Sequence, residues 1–241
     1  MRLTKKISLL AASLLLLVGV ALFVAQRRTE PPVDTSQRRT RQQSLARHPV
    51  VRTLALFMLA QGIIVGTIDV ASVAFATQQG QPAAASIVLS FYALGSCVMG
   101  LVFGTLRLKA PLHRQIAWVG ASVCITAVPL LLATNVFTLT LAVLLAGITF
   151  GPTITVAMGL VEQQVPPQRL TEGMTWLLTG IAMGVALGAA AAGWATDLWG
   201  ARISFVVALL AGAVMWALGV LAARQARAES PPAEDAAAAC T

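Results

Sequence analysis

The stretch RRTEPPVDTSQRRTRQQSLARHPVVR, from Arg27 to Arg52, holds seven arginines against two acids, Glu30 and Asp34, and lies between long apolar runs. No aromatic residue is interleaved with the arginines to stack on bases, so the pattern does not fit a single-stranded nucleic-acid surface. An arginine-rich loop flanked by apolar runs instead fits the rule that cytoplasmic loops of membrane proteins carry the excess of basic residues. The rest of the chain can be oriented from this loop.

Composition agrees. Of 241 residues, 57% are hydrophobic and 11% charged, whereas a soluble domain is roughly a quarter charged. The net charge of +8 reflects mainly the loop. One apolar run precedes it, Ile7 to Ala25. Six follow, over Leu54 to Phe75, Ala83 to Leu106, Gln115 to Ala133, Val136 to Val161, Gly173 to Ala195 and Ile203 to Ala223. Each is about long enough to cross ~30 Å of hydrocarbon as a helix. They are apolar on every face, not alternating as barrel strands do. The expected fold class is therefore all-α, a polytopic membrane helix bundle of about seven transmembrane helices. The opening MRLTKK resembles the basic start of a signal peptide, but the run behind it is long for a signal core and reads as a span.

Counting forward from the basic loop puts Thr77 to Pro82 outside, the basic Arg107 to Arg114 inside and Ala133 to Asn135 outside. Glu162 to Glu172 then falls inside, as does the C-terminus with Arg224 and Arg227. The two outside corners carry no charge, as the rule requires. Arg2, Lys5 and Lys6 lie against it, on the outer flank of the first run. Cys97 and Cys124 sit within apolar runs and Cys240 in the tail, without metal-ligand spacing; His48 and His113 are not clustered with acids. Without an HExxH, a GxSxG or a phosphate-cradling glycine loop, the sequence reads as a non-enzyme with no cofactor and no metal site.

Six helices behind a basic loop, with one more ahead of it, resemble the second half of a major facilitator superfamily transporter. GIIVGTIDVASVAF, SFYALGSCVMGLVFG and LAGITFGPTITVAMGLVEQQVPPQRLTEGMTWLLTGIAMGVALGAAAAGW carry the likeness, which is to bacterial efflux-type carriers. It implies that 1–26 corresponds to the family's sixth helix, 27–53 to its basic cytoplasmic central loop and 54–223 to its helices seven to twelve. Residues 224–241 read as a disordered cytoplasmic tail. The resemblance further implies half of that transporter fold in the cytoplasmic (inner) membrane. It would move a small solute by alternating access, as proton-coupled efflux. The expected partners are the lipid bilayer, a small-molecule substrate, a proton, and a missing N-terminal half or a second copy of the chain; nucleic acid is not among them. The favoured account is a fragment of a longer transporter, since the odd first helix takes the place of the family's sixth. A half that pairs with a separate half and a non-transporting scaffold or assembly subunit are the alternatives.

Residues with chemistry are few. Asp69 is the one ionisable residue well inside a predicted span, where an unpaired carboxylate costs roughly 2.5 to 3.5 kcal/mol. It reads either as a proton- or cation-binding group of a transport pathway or as an acid near the outer boundary holding a structural hydrogen bond. Gln61 falls within about 80° of Asp69 around the helix, so with Gly62 and Gly66 it forms a polar-and-small stripe that would face inward. Pro152 removes a backbone donor mid-span, either opening a site at a kink or serving packing alone. Tyr92, Thr149, Thr153, Trp176 and Thr179 complete the expected pathway lining. Glu162, Arg169 and Glu172 would form inter-helix salt links gating the inner face, or else are solvated loop charges. Glycines spaced four apart (Gly62 and Gly66; Gly100 and Gly104; Gly180, Gly184 and Gly188) predict close helix packing.

One further stretch, GWATDLWGAR (Gly193 to Arg202), is similar to a cytoplasmic signature of the same family. The helix count places it outside, with Asp197 and Arg202 expected to pair across a tight corner. Where the family's signature belongs, GLVFGTLRLK (Gly100 to Lys109) has Gly104 in place of the acid.

Overall fold

The computed structural model describes residues 14, 17, 18, 48–105 and 112–229, and the side chains of all of these but 113 and 226–229. Most of the first apolar run and of the Arg27 to Arg52 loop, residues 106–111, which take in the first part of the basic Arg107 to Arg114 stretch, and the tail beyond Glu229 therefore lie outside the described residues. From 48 onward the chain forms α1 (Pro49–Gln78), α2 (Ala84–Thr105), α3 (Leu112–Leu131), α4 (Val136–Gln164), a short 3-10 turn (Pro167–Arg169), α5 (Leu170–Trp199) and α6 (Ala201–Glu229). No strand occurs among the described residues, and the fold is an all-α helix bundle. All six helices are long and apolar enough to cross a membrane. They run from 20 residues in α3 to 30 in α1 and α5, about 30 to 45 Å.

Helix ends go past the apolar runs because backbone hydrogen bonding does not stop where hydrocarbon does. α4 continues through Glu162–Gln164 and stops before the extended Val165 and Pro166, the conformation that a following proline favours. α6 continues through Arg224–Glu229, into the segment read as a disordered tail. At the start of α4, the Asn135 side chain accepts from the Thr138 N–H at 2.8 Å, while the Thr138 hydroxyl receives the Asn135 N–H at 3.2 Å. This reciprocal cap satisfies two donors that the first turn would otherwise leave unpaired.

Three seams join the six helices. Along α1 and α5, a Cβ on Gly62 would strike the Ile181 carbonyl oxygen and one on Gly66 that of Val185. On the other side, Gly184 and Gly188 lie against the carbonyls of Leu59 and Ile63. Contacts advance in the same direction on both helices, so the pair is parallel. α2 and α4 are also parallel and nearly as close, with Gly147 against the Tyr92 carbonyl and Gly151 against Gly100. α3 and α6 are antiparallel: Ile116 meets Gly219, Gly120 meets Trp216 and Cys124 meets Gly212. Odd-with-odd and even-with-even pairs are parallel and the odd-with-even pair antiparallel, as six helices crossing in alternation require. α1 also packs extensively on α6, and α4 on α3, around a core that includes Leu54, Phe57, Met58, Ile116, Leu139, Phe205 and Met215.

Corners predicted to share one side of the membrane do share one end of the bundle. The Gln79 amide donates to the Thr134 carbonyl at 3.3 Å, and Arg202 Nε donates to the Leu131 carbonyl at 3.0 Å. The expected Asp197–Arg202 pair does not form. Leu131 ends α3, and its unpaired carbonyl at the negative end of the helix dipole is a better target for a guanidinium; Asp197 stays exposed within α5. GWATDLWGAR is thus mostly helix. Its turn is confined to Gly200, whose φ of +90° is a conformation that residues with a Cβ rarely adopt.

Candidate functional site

Residues singled out in the sequence fall into four places. The first is an open surface on α1. Asp69 is exposed there, about 20° around the helix from Gly62 and about one turn beyond Gly66, the last α1 glycine seated on α5. Its carboxylate is within electrostatic reach of the half-buried Tyr92 phenol on α2. The Tyr92 ring in turn packs on Phe150 of α4, centroids 5.9 Å apart and tilted by 57°. One acid, one phenol and an aromatic partner from three helices therefore face a common region.

The second place is the interior. Gln61 is only 2% exposed, so the 80° between it and Asp69 separates two faces and does not make one stripe. Its Oε1 has no hydrogen-bond partner, and neither has Oγ of the fully buried Ser72. Eleven residues are close to three turns, so both point from the same side of α1; that spacing was the available signal for Ser72, which the pathway reading omitted. Thr149 and Thr153 are buried too, with their hydroxyls bonded to carbonyls of their own helix, Ala146 at 2.8 Å and Thr149 at 2.6 Å. Pro152 lies between them, buried, and α4 remains helical across it. Backbone bonds of this kind take up the hydroxyl donors and leave only acceptor lone pairs for a ligand.

Third, Trp176 and Thr179 line a groove of about 180 Å³ between α1 and α5, together with Arg52, Leu56, Leu59 and Met183. Arg52 had been counted only with the loop arginines. Its position one turn inside an apolar helix was the sign of a different role.

The fourth place is the connection from α4 to α5. Arg169 pairs with Glu172 at 2.8 Å, with a second contact from Nε at 3.2 Å. The two residues are three apart, so this pair braces the 3-10 turn against the first turn of α5. Glu172 also suits the positive end of the α5 dipole. Glu162 is exposed on the last turn of α4. Among the described residues no group of His, Cys, Asp and Glu is placed to hold a metal ion, and Cys97 and Cys124 are free thiols.

The family model for the Major Facilitator Superfamily matches residues 75–239, from the last turn of α1 through α6 and on into the tail. No curated protein gave a significant match.

Proposed function

We propose, from the premise that the chain belongs to the Major Facilitator Superfamily of membrane transporters, that this bundle is one wall of a proton-coupled exporter. Asp69 carries the proton. The observation behind the reading is the exposure of that carboxylate on a helix otherwise well packed against its neighbours. A charge at such depth is costly against lipid and is tolerated beside a water-filled cavity. Its neighbours Tyr92 and Phe150 add a phenol and an aromatic surface to the same region, a combination suited to an amphipathic solute.

A second six-helix bundle, from the same polypeptide, a separate chain or a second copy, supplies the opposite wall. Alternating access is then the rocking of one bundle against the other. The membrane is the cytoplasmic one, with the arginine-rich loop and the Pro49 end of α1 inside. The Arg169–Glu172 brace sits at that same end and stiffens the hinge-side connection between α4 and α5.

The test uses inverted membrane vesicles containing the intact transporter and a panel of amphipathic dyes. Asp69→Asn is expected to abolish dye accumulation driven by an imposed pH gradient while leaving dye counterflow, which needs no net proton movement. Gradient-driven accumulation equal to wild type would remove Asp69 from the coupling step. Neither accumulation nor counterflow by the parent protein would favour the scaffold reading instead.

A further inference from the structure

The groove between α1 and α5 has a polar end and an apolar end. At the polar end Arg52 occupies the first turn of α1, exposed, and the Trp176 ring from α5 stands at the same level; Leu59 and Met183 line the opposite end. The floor is backbone, because Gly180 has no side chain and sits against the Ala55 carbonyl at a would-be Cβ distance of 2.5 Å. Arg52 and Leu59 are seven residues apart, so the groove runs about 10 Å along the helix axis. That is less than the ~15 Å depth of one leaflet's hydrocarbon.

An occupant of this site must be anionic at the helix-start end and hydrocarbon below it. The geometry points to an anionic phospholipid, its headgroup phosphate on Arg52 and the upper part of one acyl chain lying beneath Trp176 on the Gly180 floor. A guanidinium matches phosphate oxygens in a planar, two-pronged contact. Trp belongs at the boundary between headgroup and acyl chain. A basic pocket between membrane helices is the usual form of an anionic headgroup site. The assignment does not depend on transport: it would hold whether the bundle moves a solute or serves only as a scaffold. Its consequence is a lipid wedge at the mouth of the tightest helix seam, where headgroup charge is coupled to the packing of α1 on α5.

The full chain, reconstituted in phosphatidylcholine vesicles, gives a direct test. Either phosphatidylglycerol or phosphatidylcholine with brominated acyl chains is added at one mole fraction, and tryptophan quenching is read. Subtracting the Trp176→Phe protein isolates the signal of that ring from the other four tryptophans. Brominated phosphatidylglycerol is expected to quench Trp176 with about a fivefold higher apparent affinity than brominated phosphatidylcholine, the contribution of one arginine near a charged headgroup. Arg52→Gln should erase the preference and Arg52→Lys retain most of it. For wild type, raising salt should weaken the preference, which provides a reading even if Arg52→Gln fails to insert. Equal quenching by the two lipids would overturn the assignment. So would a Trp176 shielded from both, the result expected where another protein surface covers the groove.

Discussion

The seam between α1 and α5 and the seam between α3 and α6 are both lined with glycine, yet they are built to different tolerances. In the parallel seam, backbone carbonyls of each helix rest on glycines of the other, with no room for a Cβ at Gly62, Gly66, Gly184 or Gly188. In the antiparallel seam the nearest atoms to a Cβ at Gly120 or Gly212 are both 3.2 Å away, on Trp216 and Cys124. The same residue type is thus an absolute requirement in one place and a preference in the other. Small-residue spacing in a sequence reports that helices approach, and only the opposing backbone says how closely.

The largest effect separating the seams should come from Gly184→Val. Its branched side chain meets the Leu59 carbonyl and the Gly62 Cα, neither of which can move aside without shifting a helix. A loss of about 3 kcal/mol or more is expected in reversible unfolding by denaturing detergent, the upper part of the range for overpacked cores. Gly212→Ala, at the looser seam, should cost about 1 kcal/mol or less, and equal losses at the two sites would break the contrast. Removing the α4 cap with Asn135→Ala is expected to cost about 1 kcal/mol in the same assay. Gly193 faces open space within α5, so Gly193→Ala should instead stabilise by up to ~1 kcal/mol through helix propensity. Smallest is Arg202→Met, which removes one bond to the Leu131 carbonyl at an exposed corner and should change stability by no more than ~0.5 kcal/mol.

Six spans and their order could be read from apolar run length, because a stretch long enough to cross the bilayer has few alternatives. Their ends could not. Polar residues such as Gln163 and Gln164 continue α4 at no cost outside the hydrocarbon, so hydropathy understates the helix. The depth of Asp69 followed from its position in the run, but its exposure depends on how α1 packs against helices encoded in other parts of the sequence. Gln61 shows the converse: its helical angle to Asp69 was legible, but not that Gln61 is buried while Asp69 is exposed. Thr149 and Thr153 were legible as interior positions of α4, but not that their hydroxyls donate to carbonyls of their own helix. Arg202 found a carbonyl in place of the nearby acid because a helix end from 71 residues away was brought beside it.

The parallel pairing of α1 with α5 also sets an order of events during synthesis. Gly62 enters the bilayer about 120 residues before Gly184 has been translated, and chains grow at roughly 5 to 20 residues per second. For some 6 to 24 seconds α1 must therefore sit in the membrane with its glycine face uncovered and Asp69 about 7 Å beyond the middle of the span. Three intervening helices insert in that time, none of which supplies the α5 backbone that this face fits. A period of waiting is thus built into the topology, during which the insertion machinery, or a chaperone in the membrane, has an unfinished helix to protect.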